Sequence, residues 1–186
     1  MAQRGRIGVL VNNVGGTKTG DPGTMTEEAW DAQIRLNLKD GVPQLQNAVL
    51  PVMAQQGSGT VIQQCLDRGL AVAHASAKAA VIHFSQITGV MYANRGLRVN
   101  SVSPGMVYTP LLEMLGNSES PEDREIHRKI TQHKVPQGSM GDAFDVAHAV
   151  VFLASQASRY IIGQNLIVDG GLTGLTGSTG MGHSRL

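Results

Sequence analysis

Ile7-Gly-Val-Leu-Val-Asn-Asn-Val-Gly-Gly16 opens on an apolar run and stops on residues that turn the chain. A run without alternating polar positions predicts a strand over Ile7–Val11 buried on both faces, as in a parallel sheet. Asn12-Asn13 and Gly15-Gly16 end it. Downstream, Thr24-Met-Thr-Glu27 reads as a capping box, a Thr oxygen and a Glu carboxylate three residues on serving exposed amides reciprocally. A helix is expected from there to about Asn37, and a second from about Asp40 to Gln55, with Pro43 tolerable in its first turn.

The same alternation continues. Gly59–Gln64 predicts a second strand. Ala77, Val81, Phe84, Thr88 and Met91 recur at four, three, four and three, which is one face of a long helix ended by Gly96. Leu97–Val102 predicts a third strand, closed by Ser103-Pro104-Gly105. Residues 106–120 show no period and read as a loop, and 121–133 as a polar helix. Asp142 and Asp145 open a further helix, as capping rather than catalytic carboxylates, that reaches about Ser155 through Val146, Val150 and Leu153. Asn165–Val168 is the last strand. Four parallel strands with about five helices predict a three-layer α/β fold, a single domain over 1–172 with a glycine-rich tail over 173–186.

Composition narrows the function classes. Lys+Arg of 15 against Asp+Glu of 14, with no charge block, argues against nucleic acid and anionic membrane as partners. The single cysteine, Cys65, excludes an internal disulfide. No apolar run is long enough for a membrane span, so a cytoplasmic protein is expected. His127 and His133 stand six apart, off a common helical face, so no metal site is expected.

Five segments then carry a resemblance. Leu10-Val-Asn-Asn-Val-Gly-Gly16, Leu36-Asn37-Leu38, His74-Ala-Ser-Ala-Lys78, Arg98-Val-Asn-Ser-Val-Ser-Pro-Gly105 with Val107 and Thr109, and Gly163-Gln-Asn-Leu-Ile-Val-Asp-Gly-Gly171 occur in this order. Together the chain resembles the carboxy-terminal portion of short-chain dehydrogenases/reductases, which implies a truncated Rossmann-like fold. The resemblance implies catalytic positions at Asn37, His74 and Lys78, and cofactor contacts at Asn12, Lys78, Pro104, Gly105, Val107 and Thr109. It implies NAD or NADP as the family's cofactor. Three departures stand against it. The family's Tyr-x-x-x-Lys box has His74 in place of Tyr. Its serine falls on Cys65 or Leu66. Its Thr-Gly-x-x-x-Gly-x-Gly turn, whose amides approach a pyrophosphate, would precede Ile7, where the sequence has six residues. Thr176-Gly177-Ser-Thr-Gly180-Met-Gly182 is one residue short of that turn and reads as tail.

Each candidate also has a bland reading. His74 is a general base or a helix-surface histidine. Cys65 is a small buried hydrophobe, or a nucleophile served by His74. Asn12 can simply finish a strand. Three functions follow from the resemblance. In the first, a protein of oxidoreductase lineage performs no NAD(P)-dependent hydride transfer as this chain alone, and no cofactor is expected for it. In the second, a hydrolase- or lyase-type enzyme reuses Asn37, His74 and Lys78 on a small-molecule substrate without a cofactor. In the third, another chain or missing sequence completes an NAD(P)-dependent dehydrogenase. An edge strand at Ile7–Val11 would invite pairing, so a homo-oligomer is expected.

Overall fold

The computed structural model describes residues 5–16, 20–42, 45–65, 71–109, 125, 129 and 133–174. Four strands, β1 (Val9–Asn12), β2 (Gly59–Gln64), β3 (Leu97–Pro104) and β4 (Asn165–Val168), lie side by side in that order, all parallel. The described α-helices are α1 (Glu27–Ile34), α2 (Leu50–Gln56), α3 (Val72–Tyr92) and α4 (Ala143–Ala154). The three-layer α/β architecture expected from the alternation is the one observed.

Two apolar cores hold the layers. On one face Leu50 and Met53 of α2 meet Val61, Leu97 and Val99 of the sheet, with Phe84 and Tyr92 of α3 packed alongside. On the other, Val146 and Leu153 of α4 meet Ile62 and Val102. Each fully buried aliphatic side chain here contributes about 2 kcal/mol by leaving water. Because β2 and β3 are sandwiched, their residues alternate between the two cores.

β1 is different. Leu10 packs on the first core, but Val9 and Val11 are each 45% exposed. The expectation of a strand buried on both faces is therefore corrected: α4 lies over β2, β3 and β4 and not over β1. The strand also starts two residues late. The Gln56 side-chain amide takes both backbone groups of Ile7, accepting from its N–H at 2.9 Å and donating to its carbonyl at 2.8 Å.

The helices differ from expectation at identifiable places. Asp21 accepts from Gly23, Thr24 and Met25 N–H in a tight turn. That turn moves the α1 cap to Thr26, whose hydroxyl accepts from Ala29 N–H at 3.3 Å. α1 then widens into a π-turn over Arg35–Lys39. A second π-turn, Leu45–Val49, precedes α2, where Pro51 has no N–H to return to the turn before it. Pro43 lies outside the described residues. On α3, Ala77, Val81 and Thr88 are buried and Phe84 is partly buried, but Met91 is 65% exposed. A strict seven-residue repeat drifts around a helix of 3.6 residues per turn, and two repeats suffice to carry Met91 off the face. β3 runs two residues past Val102, because Ser103 and Pro104 pair with Ile167 and Val168.

α4 follows its sequence closely. Asp142 accepts from Phe144 and Asp145 N–H, Asp145 accepts from Asp142 N–H, and Ser155 ends the helix. The two aspartates are caps. Of the expected helix over 121–133, Glu125 and Lys129 are described as helical, 3.6 Å apart in an ion pair. The remainder of the 110–132 stretch and the 175–186 tail lie outside the described residues.

Candidate functional site

Three of the residues singled out by sequence converge on one short segment, Val14–Gly16, just past the carboxyl end of β1. Asn37 sits in the π-turn that follows α1, with its amide on this segment. Its Oδ1 accepts from Gly16 N–H at 3.1 Å; its Nδ2 donates to the Gly16 carbonyl at 2.9 Å and to the Gln33 carbonyl at 3.0 Å. From the first turn of α3, His74 Nδ1 lies 3.0 Å from the same Gly16 carbonyl. A carbonyl only accepts, so that ring nitrogen carries the proton. One turn on, Lys78 Nζ donates to the Val14 carbonyl at 2.8 Å and the Gln64 carbonyl at 3.3 Å.

All three are buried, at 4% (Asn37), 5% (His74) and 5% (Lys78) exposure. The approach is close enough to demand glycine: a Cβ at Gly15 would stand 2.8 Å from Lys78 Nζ and 2.9 Å from Asn37 Oδ1. Burial of the ammonium pulls the Lys78 pKa below its ordinary value, with the Cys65 sulfur acting in the opposite direction. Cys65 itself follows β2 and is fully buried. The surface-histidine reading of His74 is thus corrected. Its ring is interior because it is needed to hold Gly16.

Asn12 ends β1 with its Oδ1 accepting from Val14 N–H at 3.3 Å, an Asx turn that starts the same segment. Pro104, Gly105, Val107 and Thr109 lie apart from this cluster in their bonding. Gly105 N–H donates to the Val168 carbonyl at 2.8 Å, and a Cβ there would come within 2.5 Å of Asp169 Cβ. Val107 bridges Gly141 and packs on the α4 core. Thr109 is half-buried at the end of the described stretch.

The sequence reading passed over several groups that organise this region. Arg98 reaches from β3 to the Leu153, Ser155 and Ser158 carbonyls and to the Ser158 and Thr60 hydroxyls, at 2.9–3.2 Å. A cation there closes the carboxyl end of α4. Asn100 holds the turn before β4 through the Ile161 carbonyl and Gln164 N–H. Ser101 and Ser103 both donate to Asn165 Oδ1. Gln63 is 2% exposed, and its Nε2 has no hydrogen-bond partner in the structure. The available signal was polarity out of place: a charge or amide inside a strand that otherwise reads as buried.

A dinucleotide would need donors for its phosphates and an outward Lys78. The first turn of α1 instead carries Glu27 and Glu28, and α4 starts on Asp142 and Asp145. The Glu28 carboxyl is held below its ordinary pKa by a backbone N–H and by Thr26, so that terminus already has its anion. Lys78 faces Val14 and Gln64. The first turns of α1 and α4 and the inward Lys78 do not fit a pyrophosphate. Among the described residues no group of three or more His, Cys, Asp or Glu side chains could hold a metal ion. No described helix is long and apolar enough to cross a membrane.

Residues 1–173 match a family model described as enoyl-(acyl carrier protein) reductase. Oxidoreductase UcpA of Salmonella typhimurium is 35% identical over 175 residues, covering 91% of this chain and 66% of that protein. A crystal structure of a short-chain dehydrogenase/reductase-family oxidoreductase from Burkholderia thailandensis superposes with a TM-score of 0.79 at 32% identity, over 91% of this chain and 66% of that one. A gluconate 5-dehydrogenase from Burkholderia cenocepacia, solved with NADP and tartrate, gives 0.81 at 31% identity, over 93% and 67%. The chain thus spans slightly less than two thirds of UcpA. With the family model and these relatives in agreement, the chain belongs to the short-chain dehydrogenase/reductase family.

Proposed function

We propose that this four-stranded unit is the Asn/Lys side of a short-chain dehydrogenase/reductase site, and that acting alone it transfers no hydride to or from NAD(P). The observation that carries this reading is the engagement of Asn37, His74 and Lys78 with the backbone of Val14–Gly16. A proton donor must reach within about 3 Å of a substrate oxygen. The Nδ1–H of His74 is spent on Gly16, and the Lys78 ammonium is turned inward. The exposed Val9–Val11 face adds to it, since β1 offers one wall for a cofactor that such folds hold between two. NAD or NADP remains the cofactor that the family resemblance suggests, and NADP is the one named with the gluconate 5-dehydrogenase neighbour. Its use here would require a further phosphate-binding unit packed along β1.

The test is turnover. The purified chain, offered NAD(H) and NADP(H) with a panel of secondary alcohols and ketones, is expected to leave the nicotinamide absorbance unchanged. Turnover abolished by Lys78→Met would overturn the reading. Turnover of esters or hydroxy acids without nucleotide, abolished by His74→Ala, would establish the cofactor-independent enzyme instead.

A further inference from the structure

α4, Ala143-Phe-Asp-Val-Ala-His-Ala-Val-Val-Phe-Leu-Ala154, has two polar side chains in 12 residues, Asp145 and His148. Asp145 is engaged in the cap, accepting from Asp142 N–H at 2.8 Å. Val146 and Leu153 turn to the sheet. The opposite face is Phe144, Ala147, His148, Val151 and Phe152, all exposed. Their i, i+3, i+4, i+7, i+8 spacing makes them one helical stripe. Phe144 is 71% exposed, Val151 65% and Phe152 40%. A helix at the surface of a monomer sets charged residues on its outer face, whereas one that is apolar all round is covered on both sides. The sheet covers one side of α4 and leaves the other to water.

The extent of this surface suits a dimer contact. Together with Tyr160, which is 98% exposed just past the helix, the three large side chains leave about 500 Å² in water. Monomers rarely keep more than a few hundred Å² of contiguous apolar surface. A stable pair buries about 800 Å² from each partner, roughly 60% of it apolar, so this stripe with a polar rim is sufficient. Its pattern is also self-complementary. Phe144 stands four residues before His148 and Phe152 four after it. A two-fold axis through His148 lays two copies of α4 antiparallel, with Phe144 of each beside Phe152 of the other. The small Ala147 at that centre lets the helix axes approach to about 8 Å. No Lys, Arg, Asp or Glu lies on the stripe to repel its own copy. The ends carry opposite signs, Asp142 and Asp145 at the start and exposed Arg159 just past the finish. Antiparallel packing brings each acidic end to the basic end of the other copy and opposes the two helix dipoles.

We propose that the outer face of α4 is the surface through which two copies of this chain associate, helix against helix about a two-fold axis at His148. The contact needs neither nucleotide nor turnover, so it stands apart from the reading of Asn37, His74 and Lys78. Two other apolar surfaces serve as internal controls. α3 exposes the shorter stripe of Ile87, Val90 and Met91, and β1 exposes Val9 and Val11.

Sedimentation velocity of the whole chain, at concentrations from about 1 to about 100 μM, is expected to show a dimer. Val151→Lys sets like charges on the two facing stripes and is expected to weaken association about tenfold or more. Because Val151 is largely exposed, the variant is expected to keep the helix content of the parent by circular dichroism. Val90→Lys on α3 and Val11→Lys on β1 are expected to leave the dimer intact. A second readout leaves the charge of the stripe alone. The native Cys65 is buried, so diamide oxidation of His148→Cys is expected to link two copies through the introduced thiols, and oxidation of Val90→Cys is not. A monomer throughout that range, with His148→Cys left unlinked, would overturn the proposal. So would a dimer that survives Val151→Lys, or one that Val90→Lys or Val11→Lys dissolves, since the contact would then lie on another face.

Discussion

Lys78 shows how far a residue's position and its role can separate. Resemblance placed it in the site, beside Asn37 and His74, and the structure brings all three together. Their partners could not be read from sequence, because they are backbone groups of a segment 21 to 64 residues away. Cys65 is interior, as its bland reading had it, and Asn12 does finish a strand. Gln63 was passed over because a glutamine in a strand carries no motif.

The same lysine gives a pH prediction. Burial lowers its pKa from an ordinary 10.5. The unfolded chain therefore holds a proton that the folded chain has released, throughout the interval between the two values. Stability rises with pH across that interval, is fully gained above 10.5, and is lost as pH falls through the folded value. Measured by urea unfolding as pH is raised toward 10.5, the stability of the parent relative to Lys78→Met should climb. A difference that stays level or falls would contradict the buried-cation description.

Among the elements, legibility followed the range of the forces involved. α4 was read to within a residue at each end because its caps are local, Asp142 and Asp145 at the start and Ser155 at the end. β2 and β4 were read to the residue. β1 was misread at both its start and its outer face, since Gln56 captures Ile7 from 49 residues away and α4 stops short of it. The π-turn carrying Asn37 has no signature in composition.

Arg98 is the element-scale counterpart, joining β2, β3 and the carboxyl end of α4 through one planar fork. Arg98→Lys keeps the charge and loses the geometry, leaving several buried acceptors unserved. Its expected cost is about 2–3 kcal/mol in chemical unfolding, with the m-value unchanged. A cost within about 0.5 kcal/mol of zero would show that the fork is ornamental.

For the whole molecule, the sheet is covered on both faces at β2 and β3 and on one at β1, so one open face of the sheet lies beside the candidate site. α3 likewise leaves Ile87, Val90 and Met91 exposed on a single stripe. Relatives such as UcpA extend well beyond the matched region. The four-strand architecture was legible in the alternation of apolar runs and helical faces. Which helix covers which strand was not, because that depends on where distant segments end.

The most direct measurement is calorimetric titration of the purified chain with NADPH and with NADH. The account predicts no saturable heat up to about millimolar nucleotide, because the first turns of α1 and α4 hold carboxylates and Lys78 is turned onto the backbone of Val14 and Gln64. One-to-one binding at micromolar concentration, lost in Lys78→Met, would contradict it.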